Sequence, residues 1–230
     1  MLRCCTILVL TGVPIVVIGA PIPKEDDAVK IRRVYGETID PDRDCKFEMV
    51  NEKLRLTIPG KQHFVERKRN NAPRVAREIE GDFTASVRVT FPIRPAKGLE
   101  SHQADSAIAS AGVIAWSDDD GEMVWILRAE FPIGGKQQQG FLSNRVKPKV
   151  NEYHNLYGLN LEQTEAAYVR LERKGNKVSP TYSCDGKEWY STFEVEVGWG
   201  KKVKVGMIAE NGYKVPFVVT FDKYQLEQPK

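Results

Sequence analysis

At 230 residues, 41% of them hydrophobic and 28% charged, the chain has an ordinary globular composition and enough length for one continuous core. Its 34 basic and 31 acidic side chains leave a formal charge of +3, too even a balance for a global pull toward nucleic acid or an anionic membrane. No nucleic-acid partner is expected, and the one dense basic run, Arg67-Lys68-Arg69, leads into Asn70-Asn71 and reads as a solvated loop.

The chain opens with a short positive start, Met1-Leu2-Arg3, and is then apolar from Cys4 to Ala20 apart from Thr and Gly. That order predicts a secretory signal over 1–20, or an uncleaved anchor, and hence a protein exported to the periplasm, the cell envelope or the medium. Pro14 interrupts the apolar run, and Pro21 would follow the cleavage point after Ala20. Membrane contact is expected only through this segment, if it is retained. Residues 21–34, beginning with the polar, proline-bearing PIPKEDD, read as a linker, and 35–230 as the domain.

Beyond the linker no stretch sustains a 3.6-residue period. Short alternating runs bounded by Gly, Pro, Asn and Asp recur instead, at 46–49, 54–58, 83–91, 111–117, 123–131, 168–173, 178–183, 192–197, 203–210 and 217–226. Residues 162–167 could form a single helical turn. The polar stretches 92–105 and 132–151 read as long surface loops. About ten strands with turns between them predict an all-β sandwich or barrel.

Two hairpins carry their own register. A four-residue turn at Asp118-Asp119-Asp120-Gly121 sets Trp116 opposite Met123 and Ile114 opposite Trp125, so the two tryptophans share a face. A turn at Lys174-Gly175-Asn176-Lys177 sets Leu171 opposite Pro180 and Val169 opposite Tyr182, which leaves Tyr168, Arg170 and Glu172 on the other face. A slip of one residue would mix apolar and polar faces.

Several segments now bear comparison. Asn71-Ala72-Pro73-Arg74, Glu80-Gly81-Asp82-Phe83, 111–116 (AGVIAW), 168–173 (YVRLER), 182–189 (YSCDGKEW) and 221–224 (FDKY) follow one another in an order that resembles the bacterial DUF1349 family, over roughly residues 35–228. The resemblance implies a concanavalin A-like jelly-roll sandwich of two antiparallel sheets, in the lectin/glucanase superfamily. That superfamily mixes sugar-binding modules with glycosidases. The Glu-x-Asp-x-(x)-Glu run typical of its glycosidases is missing here.

A saccharide site needs an aromatic plane and a few planar polar groups. Trp116, Trp125, Arg128, Glu130, Tyr168, Arg170, Glu172 and, from the shared motif, Arg74 could supply them. The expectation is therefore a non-catalytic domain that binds an oligo- or polysaccharide. A structural or protein-interaction domain of the envelope is the rival, and a glycoside hydrolase is a third class. For hydrolysis, the pairs Glu194/Glu196 and Glu78/Glu80 have workable spacing, but the apolar Phe193, Val195 and Val197 make the first pair look like a wet face. The Ser183–Trp189 segment is one residue short of an Asp-box and reads as a turn.

No cofactor or metal is expected. Asp40, Asp42 and Asp44 open like a calcium loop, yet the Gly and closing Glu of the EF-hand pattern are absent. The three histidines lie far apart, and no Cys/His cluster has zinc spacing. Cys4 and Cys5 fall in the apolar start. Cys45 and Cys184 could pair or stay as two free thiols.

Overall fold

A computed structural model describes residues 26–229 apart from 67–68, 93, 95–98, 103–106, 120, 134–135, 148–151 and 159–163. The expected signal segment, and residues 162–163 of the possible turn at 162–167, lie outside the described residues; Ala166 and Ala167 of that stretch are extended and open strand β10 instead of closing a helical turn. Chain order is α1 (Asp27–Val34), β1 (Glu37–Ile39), β2 (Lys46–Val50), β3 (Lys53–Ile58), β4 (Arg74–Glu80), β5 (Phe83–Thr90), β6 (Ala109–Trp116) and β7 (Met123–Ile133). There follow β8 (Lys136–Lys147), β9 (Glu152–Gly158), β10 (Ala166–Lys174), β11 (Lys177–Ser183), β12 (Tyr190–Ser191), β13 (Val195–Glu196), β14 (Lys202–Asn211) and β15 (Phe217–Glu227).

These strands form two antiparallel sheets, the expected jelly-roll sandwich. One has seven strands in the order β1-β4-β14-β6-β7-β8-β9. The other runs β12-β11-β10-β5-β15-β3-β2, with β13 added on β11. Both hairpin registers are as the sequence required: Trp116 pairs with Met123 and Ile114 with Trp125, and Leu171 pairs with Pro180 and Val169 with Tyr182.

In the eight-stranded sheet, burial follows the pleat. Phe83, Ala85, Val87 and Val89 of β5 are buried, while Thr84, Ser86, Arg88 and Thr90 are half-exposed. Val169 and Leu171 of β10 point inward likewise. They meet Val113, Ile126, Val205 and Met207 from the other sheet in the main core, where Phe141 stacks on Tyr182 with ring centres 4.1 Å apart. The seven-stranded sheet behaves differently. All eight residues of β6 are buried, because a second apolar cluster covers the sheet's outer face: Ile114, Trp116, Met123, Trp125, Leu127, Val146 and Ile208, with Val65 and Ala72 from the segment between β3 and β4.

Four expectations change. The stretch 132–151 is not one long loop: β7 runs on to Ile133, and β8 occupies Lys136–Lys147. Its glutamines hid the strand, because Gln137 and Gln139 are buried and bonded to Tyr213 and Arg128 instead of facing water. Within 92–105, Ser101 forms a bridge with Tyr213. The run 192–197 contributes only the short β13. The linker ends early, since 27–34 is helical. Asp26 caps α1 by accepting from the Ala28 N–H at 3.1 Å, Asp27 lies in the first turn, and Arg32 and Arg33 lie in the last. Ile31 and Tyr35 are buried in the main core, and the Asp27 carboxylate accepts the Met49 N–H at 3.1 Å. With only Ile31 buried in the helix, no apolar period could show.

Cys45 and Cys184 are both free. They flank β2 and β11, five strand spacings apart in the sheet, which is roughly 24 Å and far beyond disulfide reach.

Candidate functional site

The eight candidate residues fall into three layers of the sandwich. Arg74, Trp116 and Trp125 belong to the outer face of the seven-stranded sheet. Trp125 is fully buried, Trp116 is 7% exposed and Arg74 8%. The Arg74 guanidinium lies 5.2 Å from the Trp116 ring centre, and Trp116 Nε1 donates to Asp118 Oδ1 at 3.0 Å. Burial lowers the pKa of Arg74, and nearby Asp118 offsets part of that. These three side chains are packing, not an open platform, which corrects their expected role.

Arg128 and Glu130 face the other way, into the space between the sheets. Arg128 is 1% exposed and sits 4.1 Å over the Phe91 ring. It donates to the Thr164 and Glu165 carbonyls and to Gln139 Oε1. Burial brings its pKa down to about 10. Glu130 is fully buried and ion-paired with Arg94; burial raises its pKa, and the Arg94 charge only partly counters this. Neither residue can meet a ligand from solvent, so both leave the candidate set.

Tyr168, Arg170 and Glu172 occupy the outer face of the eight-stranded sheet and are half-exposed. Trp116 and Arg170 thus lie on opposite outer faces, and the expected shared groove does not form. What surrounds Arg170 was not foreseen. Its guanidinium stacks on Trp189 at 4.0 Å, and its Nε donates to Thr181 Oγ1 at 3.1 Å. Trp189 meets Tyr168 edge-on, with centroids 6.5 Å apart. Lys223 Nζ donates to the Tyr168 hydroxyl at 3.1 Å and lies 5.5 Å from its ring centre. Beside them Arg88 clamps Asp222 through two bonds of 2.6 Å. Burial opposes the charged form of Asp222, but the bonds and charges of Arg88 and Lys53 prevail and hold its pKa low. Glu172 is engaged by Lys174.

Two backbone departures build this patch. The β5–β15 register shifts between Asp222 and Gln225, and Lys223 within the shift adopts φ +52°, a bulge that re-aims its side chain at sheet cost. The turn after β11 is held by Ser183 and Asp185: Gly186 N–H donates to Ser183 Oγ, and the Lys187 and Glu188 N–H groups donate to Asp185 Oδ1. These bonds keep the pKa of Asp185 below the usual range. Gly186 has φ +79°, and a Cβ there would sit 3.0 Å from Tyr168 Cζ, so the turn rests directly on that ring. The turn reading of 183–189 holds, with Trp189 delivered to the patch.

No family model matches the chain, and neither does any curated protein. Solved structures do. A functionally unknown protein from Saccharomyces cerevisiae superposes with TM-score 0.63 at 17% identity, over 84% of this chain and 96% of that one. The GH43 BlXynB protein from Bacillus licheniformis gives TM-score 0.55 at 16% identity, over 81% of this chain but only 35% of its own length. An alginate lyase from Klebsiella pneumoniae gives 0.53 at 9% identity, over 80% and 84% of the two chains. The fold is one that carbohydrate-active proteins use. At these identities the likeness concerns the fold alone.

Carboxylate pairs on the surface are engaged locally. Glu194 and Glu196 are exposed, Glu194 held by Lys177 at 2.7 Å and by Ser179. Glu78 and Glu80 both approach Lys202. Two shallow depressions on the outer face of the seven-stranded sheet share Glu78 and Lys204. Their charges are largely paired among themselves (Lys202–Glu78, Lys204–Asp118, Arg32–Glu37), and no aromatic ring lines them. The Trp189–Arg170–Tyr168–Lys223 patch combines half-exposed rings with two cations that have no carboxylate partner among the described residues.

Proposed function

We propose that the chain is a non-catalytic glycan-binding domain whose ligand lies across Trp189, Arg170, Tyr168 and Lys223. One observation carries this. Arg170 and Lys223 are cations with no carboxylate partner among the described residues, set against two half-exposed aromatic rings. A ring offers a flat apolar surface to one side of a pyranose, and the cations reach hydroxyls or a carboxylate at its rim. An acidic saccharide, such as an oligouronate, fits both. A fold shared with an alginate lyase and a GH43 protein supports a saccharide ligand, as does the resemblance to concanavalin A-like domains. Glu172, neutralised by Lys174, flanks the site without repelling an acidic ligand.

Titration with a panel of neutral and acidic oligosaccharides tests the assignment. Trp189→Ala should weaken the best ligand by about 1–3 kcal/mol, by analogy with base stacking on aromatic side chains. Arg170→Ala should cost an acidic ligand a similar amount, and its affinity should fall as salt rises. Melting temperatures should barely move, because both side chains are half-exposed. Equal binding by parent and variants would end the proposal, and so would no binding at all.

Export is part of the same reading, and the positive-then-apolar pattern of residues 1–20 supports it. The mass of the protein recovered from its native source should lack the first 20 residues, or the protein should fractionate with membranes. An intact soluble chain in the cytoplasm would refute this.

A further inference from the structure

The hairpin of β2 and β3 pairs Lys46 with Thr57, which brings the residues just before β2 alongside those just after β3. Asp44, Cys45 and His63 meet there, and one ligand atom from each lies within 4.8 Å of the others. We infer that these three side chains form a binding site for a divalent transition metal of the zinc class. The inference is independent of the glycan proposal, and it departs from the expectation of no metal because Cys45 and His63 stand 18 positions apart in sequence.

His63 carries the argument. Its ring is completely buried. Nδ1 lies 3.1 Å from the Lys61 carbonyl oxygen, which can only accept, so Nδ1 holds a hydrogen. In the neutral ring Nε2 is then a lone pair. It points at Asp44 Oδ1, 3.0 Å away, with Asp42 Oδ2 at 3.7 Å. A buried acceptor facing two acceptors needs a positive charge between them. A backbone carbonyl on the far ring nitrogen is the usual outer partner of a metal-bound histidine, fixing its tautomer and orientation.

The remaining geometry suits a metal. Ligand atoms on a tetrahedral zinc, at bond lengths of about 2.0–2.3 Å, stand roughly 3.3–3.7 Å from one another. Asp44 Oδ1 lies 3.0 Å from Nε2 and 3.6 Å from Cys45 Sγ. Lys61 Nζ donates to the other Asp44 oxygen at 2.8 Å, which leaves Oδ1 for single-oxygen ligation. Asp40 accepts the Cys45 N–H at 2.9 Å and fixes the thiol's backbone. Asp42, exposed over 42% of its side chain, is the nearest candidate for a fourth ligand. Without a metal, burial and the Asp40 and Asp44 carboxylates push the Cys45 thiol well up. Loading expels the thiol proton, leaves His63 with its Nδ1 hydrogen only, and changes no oxidation state.

The purified protein, stripped with a chelator, is titrated with Co²⁺ and then Zn²⁺. One Co²⁺ per chain should bind with a thiolate-to-cobalt charge-transfer band and tetrahedral visible absorption, and Zn²⁺ should displace it. Cys45→Ser should remove the charge-transfer band and weaken Zn²⁺ binding by at least about 100-fold, beyond the 10–100-fold typical of losing an outer partner. Asp44→Asn should weaken it as well. Both substitutions are close in volume, and circular dichroism of the stripped variants checks that they fold. No binding, binding without the band, or an unchanged affinity in the folded Cys45→Ser protein would show that the contacts of His63 with Asp42 and Asp44 hold no metal, and would overturn the site.

Discussion

Replacing Glu210 by Gln should stabilise the domain above pH 7 and leave it unchanged near pH 4. Glu210 is fully desolvated, with Oε1 accepting the Val65 N–H at 3.0 Å and Oε2 accepting from Ser110 Oγ at 2.9 Å. Burial raises its pKa from 4.5 to about 7, against the pull of those two bonds. Between these values the folded chain holds a proton that the unfolded chain has lost, so stability falls as pH rises through that window. The loss amounts to about 3 kcal/mol by pH 8, an order-of-magnitude figure. Glutamine cannot ionise. Its carbonyl can accept from Val65, and its amide can donate to Ser110, whose hydroxyl turns to receive it. Thermal melts at pH 4, 6 and 8 should show the variant gaining roughly 6–12 °C at the highest pH. A parallel pH profile in the two proteins would mean that Glu210 is solvated or otherwise compensated.

The second large effect is expected at Trp125. Its side chain is fully buried on the outer face of the seven-stranded sheet, against Ile114, Leu127 and Trp116. Trp125→Ala leaves a cavity and should cost about 3–5 kcal/mol, a fall of roughly 10 °C or more in a domain of this size. Trp116→Ala should behave similarly, because only 7% of Trp116 is exposed. Urea denaturation of the two variants beside Trp189→Ala separates packing from ligand contact. Trp125 and Trp116 govern stability, and Trp189 governs binding. If Trp125→Ala melts like the parent, the outer cluster is not part of the cooperative fold.

Much of the sandwich was legible because its strands alternate. Phe83–Thr90 and Ala166–Lys174 show the two-residue period that half-buried strands impose, and turn chemistry at Gly121 and Gly175 fixed both registers. The strands of the seven-stranded sheet were harder to read. β6 is buried on both faces, so its sequence loses alternation, and β8 buries glutamines that read as surface loop. The site was half legible. Tyr168, Arg170 and Glu172 were placed on one face by register alone. Which sheet covers that face is a long-range fact, and no local pattern distinguishes Trp116, covered by Ala72 and Val65, from Trp189, left open beside Arg170. Lys223 reached the patch through a bulge that no composition announces.

The bond from the Met49 N–H to Asp27 has a consequence for the shape of the molecule's margin. Among the described residues β2 is the last strand of its sheet, and the backbone groups on its far side have no neighbouring strand there to pair with. Such a margin is a template on which another extended chain can add itself, the first step of runaway association. Helix α1 stands along it. Its first residue occupies the Met49 amide, and its one buried residue, Ile31, anchors it in the core. The eight residues that looked like tether are therefore a guard rail, lying along the margin where another extended chain would otherwise add.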